Sequence, residues 1–300
     1  MTDPREKERK LDELLARIAR AVVAYSGGVD SAYLAFRAHR VLGERALAVT
    51  AESASLSSHQ RELADGFARR YGLHRRIVHS REMTLPEFCA NSSSRCFHCK
   101  DALFAQLEEV AREFGAVVLD GQNTDDLADY RPGRSAAEKH RVRSPLVEAG
   151  LAKSEIRALS RLHGLPTADE PASACLASRI PYGVPITEEA LRIVDRGEEA
   201  LRGMGFGIFR VRHHEHLVRL EFGPEDLAKA LDPAMAARLA SAFKGLGYKY
   251  VTLDLEGYRT GSGNEVLGAE EKDRFRSYPA GTGTKEGAQS SAATDAPEGA

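Results

Sequence analysis

The sequence predicts an α/β protein, a doubly wound parallel sheet followed by a smaller C-terminal α+β unit. Three observations carry this reading. Short apolar runs alternate with helix-period segments between residues 21 and 119. A glycine-rich turn closes the first apolar run and a polar turn closes the fourth. Beyond residue 165 the texture changes to a proline-marked loop, then a helix, two adjacent strands, a helix and a strand. The 300 residues suit about two domains at ~100–200 residues each, and 42% hydrophobic with 29% charged residues is a soluble globular composition. The expected organisation is a first domain over 1–165, a loop over 166–186, a second domain over 187–270 and a disordered tail over 271–300.

Residues 21–25 are apolar and end in Ser26-Gly27-Gly28-Val29-Asp30-Ser31, with a helical pattern over 32–42: strand, turn, helix. A second strand is expected at 46–50, a helix at 59–71 and a third strand at 76–78. Residues 100–114 form an amphipathic helix with Leu103, Leu107, Val110 and Phe114 on one stripe. A fourth strand at 116–119 runs into the polar residues 120–126. Residues 165–185 read as loop, with prolines at 166, 171 and 181. Thr187 caps a helix to about residue 204, favoured at its start by Glu188 and Glu189. Strands follow at 209–213 and 217–222, one helix over 224–243 and a strand at 248–253. Residues 278–300 are rich in Gly, Ala, Ser and Thr and are expected to be disordered.

Several classes are excluded early. With 42 basic and 44 acidic residues the net charge is −2, so bulk charge does not hold this chain to nucleic acid. No apolar run reaches the ~18 residues of a membrane helix. Residues 1–10 are charged with no apolar stretch behind them and do not read as a secretory signal, so a cytoplasmic location is expected. Four cysteines are too few for a disulfide scaffold and read as metal ligands, catalytic thiols or buried residues.

The turn Ser26-Gly27-Gly28-Val29-Asp30-Ser31 is the most informative stretch. Free amides at a helix start bind anions, glycines admit close backbone approach, and the two serines add hydroxyl donors. It carries no lysine and is too short for the G-x-x-x-x-G-K-[ST] loop. It resembles the pyrophosphate loop (PP-loop) of the adenine nucleotide α-hydrolase group, which cleaves ATP to AMP and pyrophosphate. That resemblance implies an ATP site on Ser26, Gly27, Gly28, Val29, Asp30 and Ser31. It also implies an adenine-side element at Thr50 and Glu52 and a polar turn at Gly121, Asn123, Asp125 and Asp126. Carboxylates in that turn suit Mg²⁺ against the departing pyrophosphate.

Cys96-Phe97-His98-Cys99 is a CxxC at a helix start, Cys175 stands alone in the 166–186 loop, and Cys89 has no spaced partner and reads as a buried small residue. A CxxC serves zinc, an iron–sulfur cluster or disulfide cycling. Two thiolates from one turn and a third from a distant loop would leave one iron of a [4Fe–4S] cluster open. A zinc site with His98 is the alternative.

These motifs occur in one order with Asn-Ser-Ser-Ser-Arg-Cys-Phe-His-Cys-Lys (91–100), Asp125 to Gly133, Ala-Cys-Leu-Ala-Ser-Arg-Ile-Pro-Tyr-Gly (174–183) and Tyr258-Arg259-Thr260-Gly261-Ser262. Over about residues 10–268 the chain resembles the LarE family of ATP-dependent sulfur transferases, which serve synthesis of the nickel-pincer nucleotide of lactate racemase. The resemblance implies adenylation of a pyridinium carboxylate mononucleotide and its conversion to a thiocarboxylate. Sulfur comes either sacrificially from Cys175 or through a [4Fe–4S] cluster on Cys96, Cys99 and Cys175; the presence of all three cysteines favours the cluster. Implied partners are the mononucleotide, a sulfide source or cysteine-desulfurase-type donor, and further copies of the chain, without nucleic acid or membrane. Arg179 is expected to lower the Cys175 pKa. Arg210 and Arg212, on one face of a strand, suit the substrate phosphate; Lys100 and Arg259 are further substrate ligands. Glu198 and Glu199 hold a cation or orient an arginine, or are merely solvated. His213, His214 and His216 read as core or surface residues, with nickel binding the alternative. A tRNA thiolase and an amide-forming PP-loop synthetase are the competing functions. The first needs an RNA-binding surface, and the second leaves the three cysteines unexplained.

Overall fold

The computed structural model describes residues 3–127, 133–171, 174–259 and 261–268. The tail expected at 271–300 lies outside the described residues, as do motif residues 128–132 and Thr260. Helix α1 (Pro4–Ala16), to which the sequence reading assigns no element, is capped by Asp3, whose carboxylate accepts from the Arg5 amide at 3.0 Å. Its apolar face is only Leu11, Leu14 and Leu15 among charged residues, too sparse for periodicity to declare.

The elements β1 (Ala21–Ala24), α2 (Val29–Leu42), β2 (Ala46–Glu52), α3 (Ser58–Arg70), β3 (Arg75–His79), α4 (Pro86–Cys89), α5 (Arg95–Phe114) and β4 (Val117–Leu119) follow. The four strands form one parallel sheet of order β3-β2-β1-β4. Alternation along the strands separates two cores. Ala21, Val23, Ala46 and Ala48 face α1, α2 and Phe67, whereas Val22, Leu47 and Val49 face Phe104, Leu107 and Val110 of α5. Helices therefore cover both faces, as a parallel sheet requires. Helix α5 starts at Arg95, so the CxxC lies inside its first turns; of the expected stripe Leu107 and Val110 are buried and Leu103 and Phe114 pack half-buried against the same core, with Phe104 and Ala111 completing the buried face. From β1 the chain runs to β2 on one side, and the connection from β3 crosses to β4 on the other side of β1, so the strand order reverses between β1 and β4. A crevice is thereby placed at the carboxyl ends of β1 and β4.

Three helices unassigned from sequence complete this part: α6 (Gly133–Lys139), α7 (Pro145–Ala149) and α8 (Lys153–Leu162). The first two are too short to show a period. Among the described residues between α8 and α9 (Glu188–Gly203) there are only short 3₁₀ turns, at Pro166–Asp169 and Leu176–Arg179. Thr187 caps α9 as predicted, accepting from the Ala190 amide at 3.1 Å. The strands β5 (Phe209–His214) and β6 (Leu217–Phe222) are antiparallel. The single helix expected over 224–243 is two, α10 (Pro224–Leu231) and α11 (Pro233–Gly245). Pro233 lacks the amide needed to continue, and Asp232 leaves helical geometry (φ −57°, ψ 131°) and caps α11. β7 (Tyr250–Leu253), two residues shorter than expected, adds parallel to β6.

The core of this second part reaches beyond residues 187–270. Phe88 of α4 and Leu176, Ala177, Ile180 and Ile186 of the cysteine loop are buried within it. Among the described residues no helix is long and apolar enough to cross a membrane.

Candidate active site

The glycine turn sits at the carboxyl end of β1, in the crevice. Gly27 has φ +80°, and a Cβ there would lie 2.8 Å from that of Ala64, so only glycine fits. The Ser31 hydroxyl donates to the Gly28 carbonyl at 3.1 Å, accepts from the Ser26 amide at 3.2 Å and lies 3.1 Å from the Ser26 hydroxyl. No side chain caps α2, whose N-cap is Gly28, so its first amides face the turn as anion donors. Across the crevice Gly121 presses on the start of α2, where a Cβ would stand 2.9 Å from the Ser31 nitrogen.

Asn123 is buried and shapes the turn after β4: its side-chain oxygen accepts from the Asp125 amide at 3.0 Å, and its amide donates to Asp126 at 3.1 Å. Asp125 accepts from the Lys153 amide at 3.1 Å, and the Lys153 ammonium pairs with Asp30. Lys153 is absent from the sequence reading. At the end of β2, Thr50 is buried with its hydroxyl held by Arg75 Nε at 3.0 Å, and Glu52 lies 3.9 Å from Arg61.

Cys96 and Cys99 share one face of α5 at i, i+3 spacing. A staple brings Cys175 to them. Asn91, fully buried and at φ +55°, donates through its side-chain nitrogen to the carbonyls of Pro181 and Val184, both at 2.7 Å, and accepts from Arg95. Arg95 stacks on Tyr182 at 4.5 Å, the Gly183 amide donates to Asn91 O at 3.0 Å, and the Ile186 amide donates to Cys89 O at 2.8 Å. On the other side of the loop, the Leu176 amide donates to Ser55 O at 2.8 Å.

Arg179 completes the clamp. It is 2% exposed and forks onto the equally buried Glu198 (2.8 and 3.3 Å). Its remaining arm donates to the carbonyls of Ala174 (2.7 Å) and Cys175 (3.1 Å) and to the Ser178 hydroxyl (2.9 Å). Arg179 thus holds the backbone of the exposed Cys175, and Glu198 orients it rather than being solvated.

Burial pushes the Cys96 thiol up, the Cys175 charge adds to this, and Arg95 and Lys100 oppose it. Cys99 is raised by burial, then by Glu82 and Cys175, against Lys100. Cys175 is therefore within electrostatic reach of both. Among the described residues no three His, Cys, Asp or Glu side chains form a group that could hold a metal ion, so the thiols share a neighbourhood without forming a ligand shell. Burial raises the carboxyl of Asp120, just beyond β4, against hydrogen bonds from Ser144 and Gln122 and the charge of Lys100, whose ammonium lies 5.6 Å from the centre of the Phe104 ring. Cys89 packs beside the second core and donates to the Met83 carbonyl at 3.3 Å.

The two strand arginines share a face of β5 but differ in partners. Arg212 is buried in a fork on Glu221 (2.8 and 3.0 Å) and also donates to Ser178 O and the Ser262 hydroxyl. Arg210 stacks on Tyr258 at 4.7 Å, and burial, then the Arg179 charge, lowers its pKa. Arg259 pairs with Glu256 at 2.8 Å and Glu265 at 3.4 Å. His213 is a core residue, its Nδ1 2.8 Å from the Tyr248 hydroxyl, and burial lowers its pKa and that of His214. A cleft of about 300 Å³ joins the two parts of the site, lined by Gly27, Gly28, Gln60, Arg179, Glu198 and Arg210.

These features define an α/β protein whose parallel-sheet crevice presents an amide-rich anion turn next to a clamped cysteine loop. No family model matches the chain. An uncharacterized protein of Synechocystis sp. is 43% identical over 262 residues, 87% of this chain and 98% of that protein. The pyridinium-3,5-bisthiocarboxylic acid mononucleotide synthase of Lactiplantibacillus plantarum is 32% identical over 263 residues, 87% of this chain and 95% of its own. An uncharacterized protein of Methanocaldococcus jannaschii is 28% identical over 240 residues, 80% and 90% of the two chains. The chain belongs to the family of that synthase, the LarE family.

Proposed function

We propose that this protein is an ATP-dependent sulfur transferase of the PP-loop type. It adenylates a pyridinium carboxylate mononucleotide with release of pyrophosphate and converts the carboxylate to a thiocarboxylate. The observation that carries the reading is one cleft lined by both the Gly27–Gly28 turn and Arg210, with Arg179 in its wall bonded to the Cys175 backbone.

A carboxylate is a poor electrophile until its oxygen becomes a leaving group. The substrate oxygen attacks the α-phosphorus, the bond to the β-phosphate oxygen breaks, and the pyrophosphate charge is met by the α2 amides and the serine hydroxyls. Asp30 and Asp125 flank the turn, and one or two carboxylates with phosphate oxygens are the usual Mg²⁺ set, so these residues fit that ion, which would supply charge neutralisation. Arg210 receives the substrate phosphate. Arg212, committed to Glu221, holds the Ser178 backbone. In the sacrificial mode the Cys175 thiolate attacks the acyl carbon, a thioester forms and AMP leaves. The Cys175 Cα proton passes to a base and the Cβ–S bond breaks. Sulfur then stays on the product and dehydroalanine on the chain.

Cys96, Cys99 and Cys175 are the residues that would hold a [4Fe–4S] cluster. Burial and their mutual repulsion raise the CxxC thiols, and the cations that favour their thiolates are Arg95 beside Cys96 and Lys100 near both. Such a cluster would supply a transferable sulfide from its open iron. Measuring products with ATP and the pyridinium carboxylate tests the reading: AMP and pyrophosphate support it, whereas ADP and phosphate contradict it.

A further inference from the structure

We propose that Lys153 is the phosphate-binding cation that the glycine turn itself lacks, moving from Asp30 to the β- and γ-phosphates when nucleotide enters. The inference rests on the reading that ATP occupies the turn at residues 26–31. That turn holds amides, hydroxyls and one carboxylate but no basic residue, although a triphosphate is far more anionic than amides alone neutralise. The fold supplies the missing charge from a point remote in sequence.

Lys153 is the first residue of α8, and its backbone is pinned because its amide donates to Asp125 at 3.1 Å. Its side chain reaches across the crevice mouth to Asp30, in the first turn of α2. Both side chains keep contact with solvent, at 31% and 18% exposure. The root of the side chain is thus fixed on the β4 side of the crevice and its charged end lies on the β1 side. A four-carbon stem with one rotatable ammonium can swing between carboxylate and phosphate without backbone movement. In the absence of nucleotide, Lys153 neutralises Asp30. With nucleotide bound, the ammonium meets the charge that grows on pyrophosphate as the bond to the α-phosphorus breaks.

An ion pair that merely ties α8 to α2 is the competing account, and the two differ in which ligands feel the change. AMP has no β- or γ-phosphate. Calorimetric titration of the full chain with ATP, pyrophosphate and AMP, for wild type, Lys153→Met and Lys153→Arg, separates them. The expected result is ATP and pyrophosphate binding weakened about 10- to 100-fold in Lys153→Met, the loss of one charge-assisted bond, with AMP binding changed less than about twofold and Lys153→Arg close to wild type. Unchanged ATP affinity in Lys153→Met overturns the proposal. So does an equal loss for all three ligands with a lowered melting temperature, which marks a structural strut. A wild-type chain that binds no adenine nucleotide would overturn the ATP reading itself, and this inference with it.

Discussion

Asn91 is the residue whose removal most directly tests how the cysteine loop is positioned. Its side chain donates to two carbonyls at 2.7 Å and accepts from Arg95, all in a fully buried setting. Alanine would leave two loop carbonyls and one guanidinium nitrogen without these partners. At about 1 kcal/mol for each neutral bond and 1.5–3 for the charged one, Asn91→Ala should cost about 3–5 kcal/mol. Position 91 also has φ +55°, which asparagine tolerates and alanine does not, so Asn91→Gly should be about 1 kcal/mol less damaging than Asn91→Ala. With no tryptophan in the chain, urea denaturation followed by circular dichroism is the suitable assay. Under conditions where the variant remains folded, pyrophosphate release should persist while sulfur transfer falls, because the staple holds Cys175 against α5 and not the nucleotide turn. A stability loss below about 0.5 kcal/mol, or sulfur transfer as fast as wild type, would refute the staple.

Other predictions follow from the same geometry. Arg210→Ala should weaken acceptor binding about 10- to 100-fold in equilibrium titrations, with ATP affinity nearly unchanged, if a charge-assisted bond to phosphate is lost. Arg212→Ala should instead destabilise the fold by about 1.5–3 kcal/mol in the same urea assay, since the buried Glu221 loses its fork and keeps Arg219 at 3.2 Å. Cys175→Ala should abolish sulfur transfer yet keep pyrophosphate release; thiocarboxylate formation by this variant would contradict both sulfur modes. Cys96→Ala or Cys99→Ala should remove iron from anaerobically purified protein and stop multiple turnover. In the sacrificial mode both stay active, and mass spectrometry finds a loss of ~34 Da at position 175, the thiol-to-dehydroalanine difference. Asp195 accepts from the Ser58 amide at 3.1 Å, and burial, reinforced by Glu199 and Glu198, holds its carboxyl above the ordinary value. A raised carboxyl pKa means that the charged form costs stability above that pKa and is relieved as pH falls through it. Asp195→Asn should therefore be neutral to stabilising at pH 7, and any advantage should vanish at acid pH in melting experiments.

Wherever a feature depends on neighbours in the chain, the sequence by itself determined it. The continuous apolar runs at 21–24 and 46–49 announced strands because a parallel strand covered on both faces carries apolar residues throughout. Thr187 announced the start of α9 because a hydroxyl there meets the amide three residues on. The glycine turn was legible because two glycines between an apolar run and a helical pattern mark a strand-to-helix turn. Tertiary structure alone decided which distant residues meet. Arg210 and Arg212 look equivalent on the strand, yet Glu221 on the neighbouring strand takes one guanidinium and Tyr258 stacks on the other. Arg179 reads as a surface or catalytic arginine until Glu198 is found beside it in the core. Lys153 shows no local signal, because its meaning comes from Asp30, 123 residues earlier, brought close when β1 and β4 pair. The physical reason is range. Backbone dihedral preferences and side-chain periodicity act over a few residues. The pairing of a buried charge is settled by whichever groups the packed layers leave within about 3 Å of it, the reach of a hydrogen bond.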